Sequence, residues 1–301
     1  FAAASVLSLM FLPAAGSLAA EPDPWPSLKK DIFGDREVVE RDGLLSLYAP
    51  ERATDATTVP ISIRFPPGKA NDVKALYLII DRNPAPIAAT IRFGDAFAAS
   101  HQLGERMFET RLRIDTFAQM RAIAETKDGK LHMANQFVYG TGGCSGPGAK
   151  DPDEAIAQIG AVKVTQHANV TRGESWREGV VSIRHPNFTG MQLNPKTRAY
   201  TPLRVVNAIE VKSGGDLLFK VEGGISISED PQFRFNYESH ATAPLEVRKS
   251  TEPSAGARAT ISAAMPPLAP LSSLPVLTAK ESLMLSTSFE STEKAYSRRN
   301  T

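Results

Sequence analysis

The chain has 301 residues, 42% of them hydrophobic, and a formal net charge of +1. That length supports one or two domains with packed cores, and the near-neutral charge excludes a nucleic-acid binder whose affinity would come from neutralising phosphates. Apolar runs are short, with 22 prolines and 21 glycines along the chain, the punctuation of β-structure and not of helical bundles.

Residues 1–20 begin with an apolar stretch from Phe1 to Leu12, then Pro13 and small residues. Ser17-Leu18-Ala19 fits the small-x-small cleavage pattern, and Glu21-Pro22-Asp23-Pro24 is a polar start for the mature chain. A membrane-spanning helix needs about 20 apolar residues, so the segment reads as a signal peptide whose basic region and initiator Met are absent. The expectation is an exported, periplasmic protein with no membrane association in its mature form. A short helix from Leu28 to about Phe33 comes next. Thr58–Phe65 then alternates, with Val59, Ile61 and Ile63 on one face. Val73–Ile80 is a nearly continuous apolar run, as expected of a strand covered on both faces. Asn83-Pro84-Ala85-Pro86 turns the chain into Ile87–Phe93. Phe108, Thr110, Leu112 and Ile114 alternate with Glu109, Arg111, Arg113 and Asp115, which predicts a half-exposed strand whose charged side is solvated. Phe117–Glu125 and Leu131–Tyr139 flank the turn Lys127-Asp128-Gly129-Lys130 as a hairpin.

Strand-like runs at this spacing predict an immunoglobulin-like β-sandwich over residues 26–140. A glycine-rich linker occupies 141–160, and a brief helix over Asp153–Ile159 takes Asp151 or Asp153 as its cap. A second sandwich over 161–250 would be built from Val162–Gln166, Gly179–Arg184, Leu203–Lys212, Leu217–Val221 and Phe233–Tyr237, with Ser213-Gly214-Gly215-Asp216 as a hairpin turn. The predicted fold class is therefore all-β, two immunoglobulin-like sandwich domains in series. From Thr251 to Thr301 the composition turns to Ser, Pro, Ala and Thr, which buries too little apolar area to offset the entropy of ordering, so a disordered tail is expected.

The chemistry concentrates on one residue. Cys144 is the single cysteine of the chain, so it closes no internal disulfide, and an odd thiol in an oxidising compartment is reactive or pairs with another molecule; the alternative is a buried, inert cysteine that packs as a small hydrophobe. Gly140, Gly142, Gly143, Gly146 and Gly148 surround it. Glycine carries no side chain to pack and visits both halves of φ space, so the segment reads as a slender, flexible arm with an exposed thiol. A catalytic cysteine needs a base within reach, and Lys150 is the nearest basic residue. One Cys and five scattered His give none of the paired spacings of a zinc site, and no Gly-Lys-Ser/Thr follows the glycines to make a phosphate loop. No catalytic residue, metal or cofactor is expected. Among other residues, Trp25 and Trp176 read as packing residues, Phe233, Phe235 and Tyr237 as core, and His185 as a turn or interface residue and not a ligand.

Longer matches add a family. Asp42-Gly43-Leu44, Ala49-Pro50, Val59-Pro60-Ile61-Ser62-Ile63, the run Val73 to Pro84, Pro86 to Thr90, Arg111 to Ile114, Val138-Tyr139 and Gly142-Gly143-Cys144 resemble the SoxY subunit of the sulfur-oxidation carrier. His185-Pro186-Asn187-Phe188-Thr189-Gly190 and Pro202 to Asn207 resemble its partner SoxZ. The whole is similar to the quinoprotein dehydrogenase-associated SoxYZ-like carriers, in which the two are fused. The resemblance implies a non-enzymatic carrier that binds sulfur intermediates covalently on Cys144 and presents them to Sox-type sulfur-oxidising enzymes. The alternative is an accessory module for a quinoprotein alcohol dehydrogenase system, and a thiol enzyme is a third class. Two departures from the resemblance stand out: Cys144 is tethered on both sides, with Ser145 where SoxY has glycine, and the final strands of the SoxZ-like unit beyond Tyr237 are expected to be missing or altered.

Overall fold

A computed structural model describes residues 22–98, 104–148, 150–168, 176–238 and 243–252. The expected signal segment 1–20 and all of the expected tail beyond Glu252 lie outside the described residues. In chain order the elements are α1 (Trp25–Phe33), β1 (Val38–Glu40), β2 (Ser46–Tyr48), β3 (Val59–Phe65), β4 (Val73–Ile80), β5 (Ile87–Phe93), α2 (Asp95–Ala98), β6 (Arg106–Leu112), β7 (Ala118–Thr126) and β8 (Leu131–Val138). The second half continues with α3 (Pro152–Ala157), β9 (Val162–Ala168), β10 (Trp176–Ile183), β11 (Val205–Ser213), β12 (Asp216–Gly223), β13 (Gln232–Glu238) and β14 (Leu245–Glu252).

The strands follow their side-chain periodicity. In β3, Val59, Ile61, Ile63 and Phe65 are buried while Pro60, Ser62 and Arg64 face outward, the two-residue period of a half-covered strand. Pro60 lies beyond the end of β2, which pairs only with Ser62–Arg64, so one edge of β3 is uncovered where a residue without an N–H stands. β4 is covered on both faces, as its continuous apolar run predicts. One face enters the main core, and on the other Ile79 joins Phe33 of α1, Ile123, Leu131 and Met133. Trp25 at the start of α1 lies over the Arg121 guanidinium at 4.2 Å, and Arg121 forms a buried ion pair with Asp81 at 2.7 Å.

Two sheets make the sandwich, and both run through both halves of the chain. The eight-stranded sheet has the order β1-β8-β7-β4-β5-β12-β11-β14, and the six-stranded sheet β2-β3-β6-β13-β10-β9. At the seam, β5 pairs with β12 from Phe93↔Phe219 to Ala89↔Gly223, and β6 pairs with β13 at Phe108↔Phe235 and Glu109↔Arg234. Where β6 and β13 stop pairing by backbone, the Asn236 side chain continues the link, accepting from Met107 N at 2.8 Å and donating to Glu105 O at 2.9 Å. Between the sheets Phe108 packs against Phe93, Phe219 and Phe233, and Phe219 against Phe235. The two immunoglobulin-like units thus share one core.

The second unit does not end at Tyr237. β14 pairs antiparallel with β11 from Val205↔Glu252 to Ser213↔Leu245 and closes the edge of the larger sheet. This corrects the expectation of missing final strands, and Thr251 belongs to that strand and not to a tail. Leu245 and Val247 point into the core, but Lys249 holds the next inward position, so the alternation is masked by a buried lysine.

Candidate functional site

The glycine segment leaves β8 through Tyr139, whose N–H donates to Glu51 O at 2.7 Å and whose O accepts from Ala53 N at 2.8 Å. It then turns inward. Gly142 has φ +73° and donates to Asp115 O at 2.7 Å, Gly143 donates to Ile114 O at 3.0 Å, and Gly146 closes a turn by donating to Gly142 O at 2.6 Å. At Gly143 the absence of a side chain is required: a Cβ there would stand 2.2 Å from Ala56 O and 2.5 Å from Ile114 O. The segment is slotted between two backbones.

The expected exposure of Cys144 is not found. Its relative exposure is 0%. In the sequence the glycines read as freedom from packing, whereas here they allow an approach closer than any Cβ permits. The backbone of the thiol residue is tied from both halves of the molecule. Its N–H donates to Asp115 Oδ1 at 3.0 Å, and its carbonyl accepts from Thr189 Oγ1 at 2.6 Å. Gln192 Nε2 donates to Gly146 O at 3.2 Å, and Arg113 Nη1 to Gly143 O at 3.1 Å. Gly140 and Gly146 are half-buried and Gly143 is buried. Of the family-type segment His185 to Gly190, Thr189 is therefore a direct clamp on the cysteine.

Arg113 also departs from expectation. Arg111 keeps to the outward side of β6, but β6 ends at Leu112 and Arg113 is fully buried. There it bridges Gly143 O to Asn187 O at 3.4 Å. Beneath it Asn83 donates to Arg113 O at 2.8 Å and Ser226 Oγ at 3.0 Å, and accepts from Asp115 N at 2.9 Å. Asn187, at φ +47°, a conformation that asparagine tolerates better than most residues, donates to Ile227 O at 3.0 Å and accepts from Val206 N at 2.9 Å. These partners are far apart in sequence, and nothing local in the chain signals them.

Electrostatics keep the thiol protonated. Burial is the main cause and the Asp115 carboxylate adds to it, outweighing Arg113, so the Cys144 pKa is pushed up to about 12. At pH 7 that leaves roughly one thiolate in 10⁵ molecules. The charged groups that act on it are Asp115 and Arg113, neither of which is the imidazole base of a nucleophilic cysteine. Among the described residues no cluster of three or more His, Cys, Asp or Glu is placed to hold a metal ion, and no helix is long and apolar enough to cross a membrane.

His185 is buried, with Nδ1 against Asn187 Oδ1 at 2.9 Å and accepting from Asn187 N at 3.1 Å, while Nε2 has no partner. It stabilises the turn that carries Thr189. Burial lowers its pKa to about 4, with Lys249 and Arg204 acting in the same direction. A folded-state value below the ordinary 6.5 means that the unfolded chain binds the proton more tightly. Stability is therefore full above about pH 6.5 and falls as pH drops toward 4, by up to about 3 kcal/mol. In paired urea titrations at pH 7 and pH 4.5, His185→Gln is expected to lose less stability on acidification than the parent. Equal losses would rule His185 out as the source.

The first half of this arrangement matches the family model of the sulfur oxidation protein SoxY over residues 29–144, and the second that of the sulphur oxidation protein SoxZ over residues 164–263. Among solved structures, the sulfur carrier protein SoxY from Chlorobium limicola f thiosulfatophilum is similar at 18% identity, over 39% of this chain and 91% of that one, with a TM-score of 0.29. Comparison with curated proteins gives no match.

Proposed function

We propose that this chain, which joins a SoxY-type domain to a SoxZ-type domain, is a periplasmic carrier in sulfur oxidation that holds its cargo covalently on Cys144 and presents it to Sox-type sulfur-oxidising enzymes. The observation that carries the reading is the place where the SoxY match ends: residue 144, the one cysteine of the chain, with the SoxZ match following in the same polypeptide. The signal-like pattern of residues 1–20 supports export. The enclosed thiol gives the reading a condition. In the closed arrangement Cys144 is too protonated and too well covered to be loaded, so loading requires Gly142–Gly146 to leave its slot. A partner that competes for Thr189 and Gln192 would supply that opening.

Intact-protein mass spectrometry on the chain isolated from thiosulfate-grown cells tests this. Adducts in steps of about one sulfur atom are expected on the parent and absent from Cys144→Ser. An unmodified thiol, together with normal growth of the Cys144→Ser strain on thiosulfate, would sink the carrier reading.

A further inference from the structure

Cys144 is fully enclosed, and the walls beside it are backbone, since a Cβ at Gly143 would stand 2.2 Å from Ala56 O and 2.5 Å from Ile114 O. Four amides fix the segment that carries it. Those of Gly142, Gly143, Cys144 and Gly146 donate to Asp115 O at 2.7 Å, Ile114 O at 3.0 Å, Asp115 Oδ1 at 3.0 Å and Gly142 O at 2.6 Å. Three of those acceptors belong to the stretch that runs on from β6. From the second half of the chain, Thr189 Oγ1 and Gln192 Nε2 close over Cys144 O and Gly146 O.

Atoms added to the sulfur in this setting overpack it, and closely packed interiors resist even one extra methylene. An adduct that ends in a charge meets a second barrier. Burial and the Asp115 carboxylate outweigh Arg113 at the thiol, and the same surroundings disfavour any anion carried on the sulfur. Leaving the slot costs less, because the groups released are amides and a hydroxyl that water satisfies. We infer that cargo on Cys144 and the closed slot exclude each other: an empty carrier buries its thiol, and a loaded one holds Gly142–Gly146 outside, with Thr189 and Gln192 uncovered. The inference takes Cys144 as the carrier thiol proposed above and adds its regulation. An empty chain is shielded from oxidants, whose target is the thiolate. Load is displayed as a change of surface, so a partner enzyme can tell the two forms apart without reaching the sulfur.

Hydrogen exchange followed by mass spectrometry reads the four amides directly. The full chain is treated in urea with methyl methanethiosulfonate, then returned to buffer by dilution. The thiolate of Cys144, the single cysteine, displaces methanesulfinate and keeps a thiomethyl group through a new S–S bond. This adduct is small and neutral, so charge plays no part in the outcome. A chain carried through urea without reagent is the reference. Exchange across residues 142–146 is expected to be at least about tenfold faster in the adduct, while β4 and β7 stay as protected as in the reference. Dithiothreitol, which removes the group, should restore slow exchange, and Cys144→Ser treated alike should exchange as its untreated form does. Unchanged protection of 142–146 with the adduct in place would mean that the slot takes cargo in. Loss of protection through β4 and β7 as well would mean that the segment cannot leave without the fold. Either result overturns the inference; the carrier reading is decided separately, by the adducts on the chain from thiosulfate-grown cells.

Discussion

Alkylation of Cys144 by iodoacetamide at pH 8 is expected to run at least about 1,000-fold more slowly in the native chain than in urea-unfolded chain. The thiolate is the nucleophile, and raising the pKa from 9.0 to about 12 alone removes roughly three orders of magnitude of it at that pH. Gly143→Ala should reverse this. The added Cβ would meet Ala56 O and Ile114 O and N, backbone atoms that cannot step aside, so the segment is pushed from its slot and the rate rises to within about tenfold of the unfolded chain. Thr189→Val, which loses the hydroxyl that holds Cys144 O, should fall between. Alkylation of Gly143→Ala at the parent rate, in a variant that remains folded by circular dichroism, would mean that the slot is not what closes the site. The same burial has a pH signature. Because the folded thiol titrates higher than the unfolded one, its contribution to stability holds below pH 9 and is lost as pH rises through 12.

The second large effect concerns the shared core. Phe108 meets aromatic rings from both sheets and both halves: Phe93 and Phe219 in the larger sheet, Phe233 beside it in the smaller. Phe108→Ala should destabilise the chain by about 3–5 kcal/mol, the range for emptying a large aromatic site. Since both sheets cross the seam, the loss is expected as one shifted cooperative transition in urea, followed at once by near-UV circular dichroism and Trp176 fluorescence. Two separate transitions, with the SoxZ-type half unaffected, would show that the seam does not couple the halves.

The sequence discloses most strands and little of how they meet. β3, β4, β6 and β7 are legible from alternation or continuous apolar runs, and of the two candidate caps for α3 it is Asp151 that forms, accepting from Asp153 N. β1 and β2 are three residues each, too short for a period to show. β14 is hidden by Lys249 on its inward side. The edge-to-edge joining of the two units rests on pairings such as Phe93↔Phe219, more than a hundred residues apart, to which local pattern is blind. At the site, composition alone points to Cys144 and its glycines, but not to their setting. A glycine run is equally suited to free movement and to tight enclosure, and only the partners Arg113, Asp115, Thr189 and Gln192 decide between these.

A thiol anchored on two sides works on a short leash. Tyr139 stays bonded to Glu51 and Ala53, and Cys144 lies five residue steps beyond it, so the sulfur-bearing residue can stray at most about 17 Å from that anchor even when fully extended. On the carrier reading proposed above, partner enzymes would have to offer their reacting groups near a rim or in a shallow basin, because a chemical centre at the bottom of a long tunnel would be out of range.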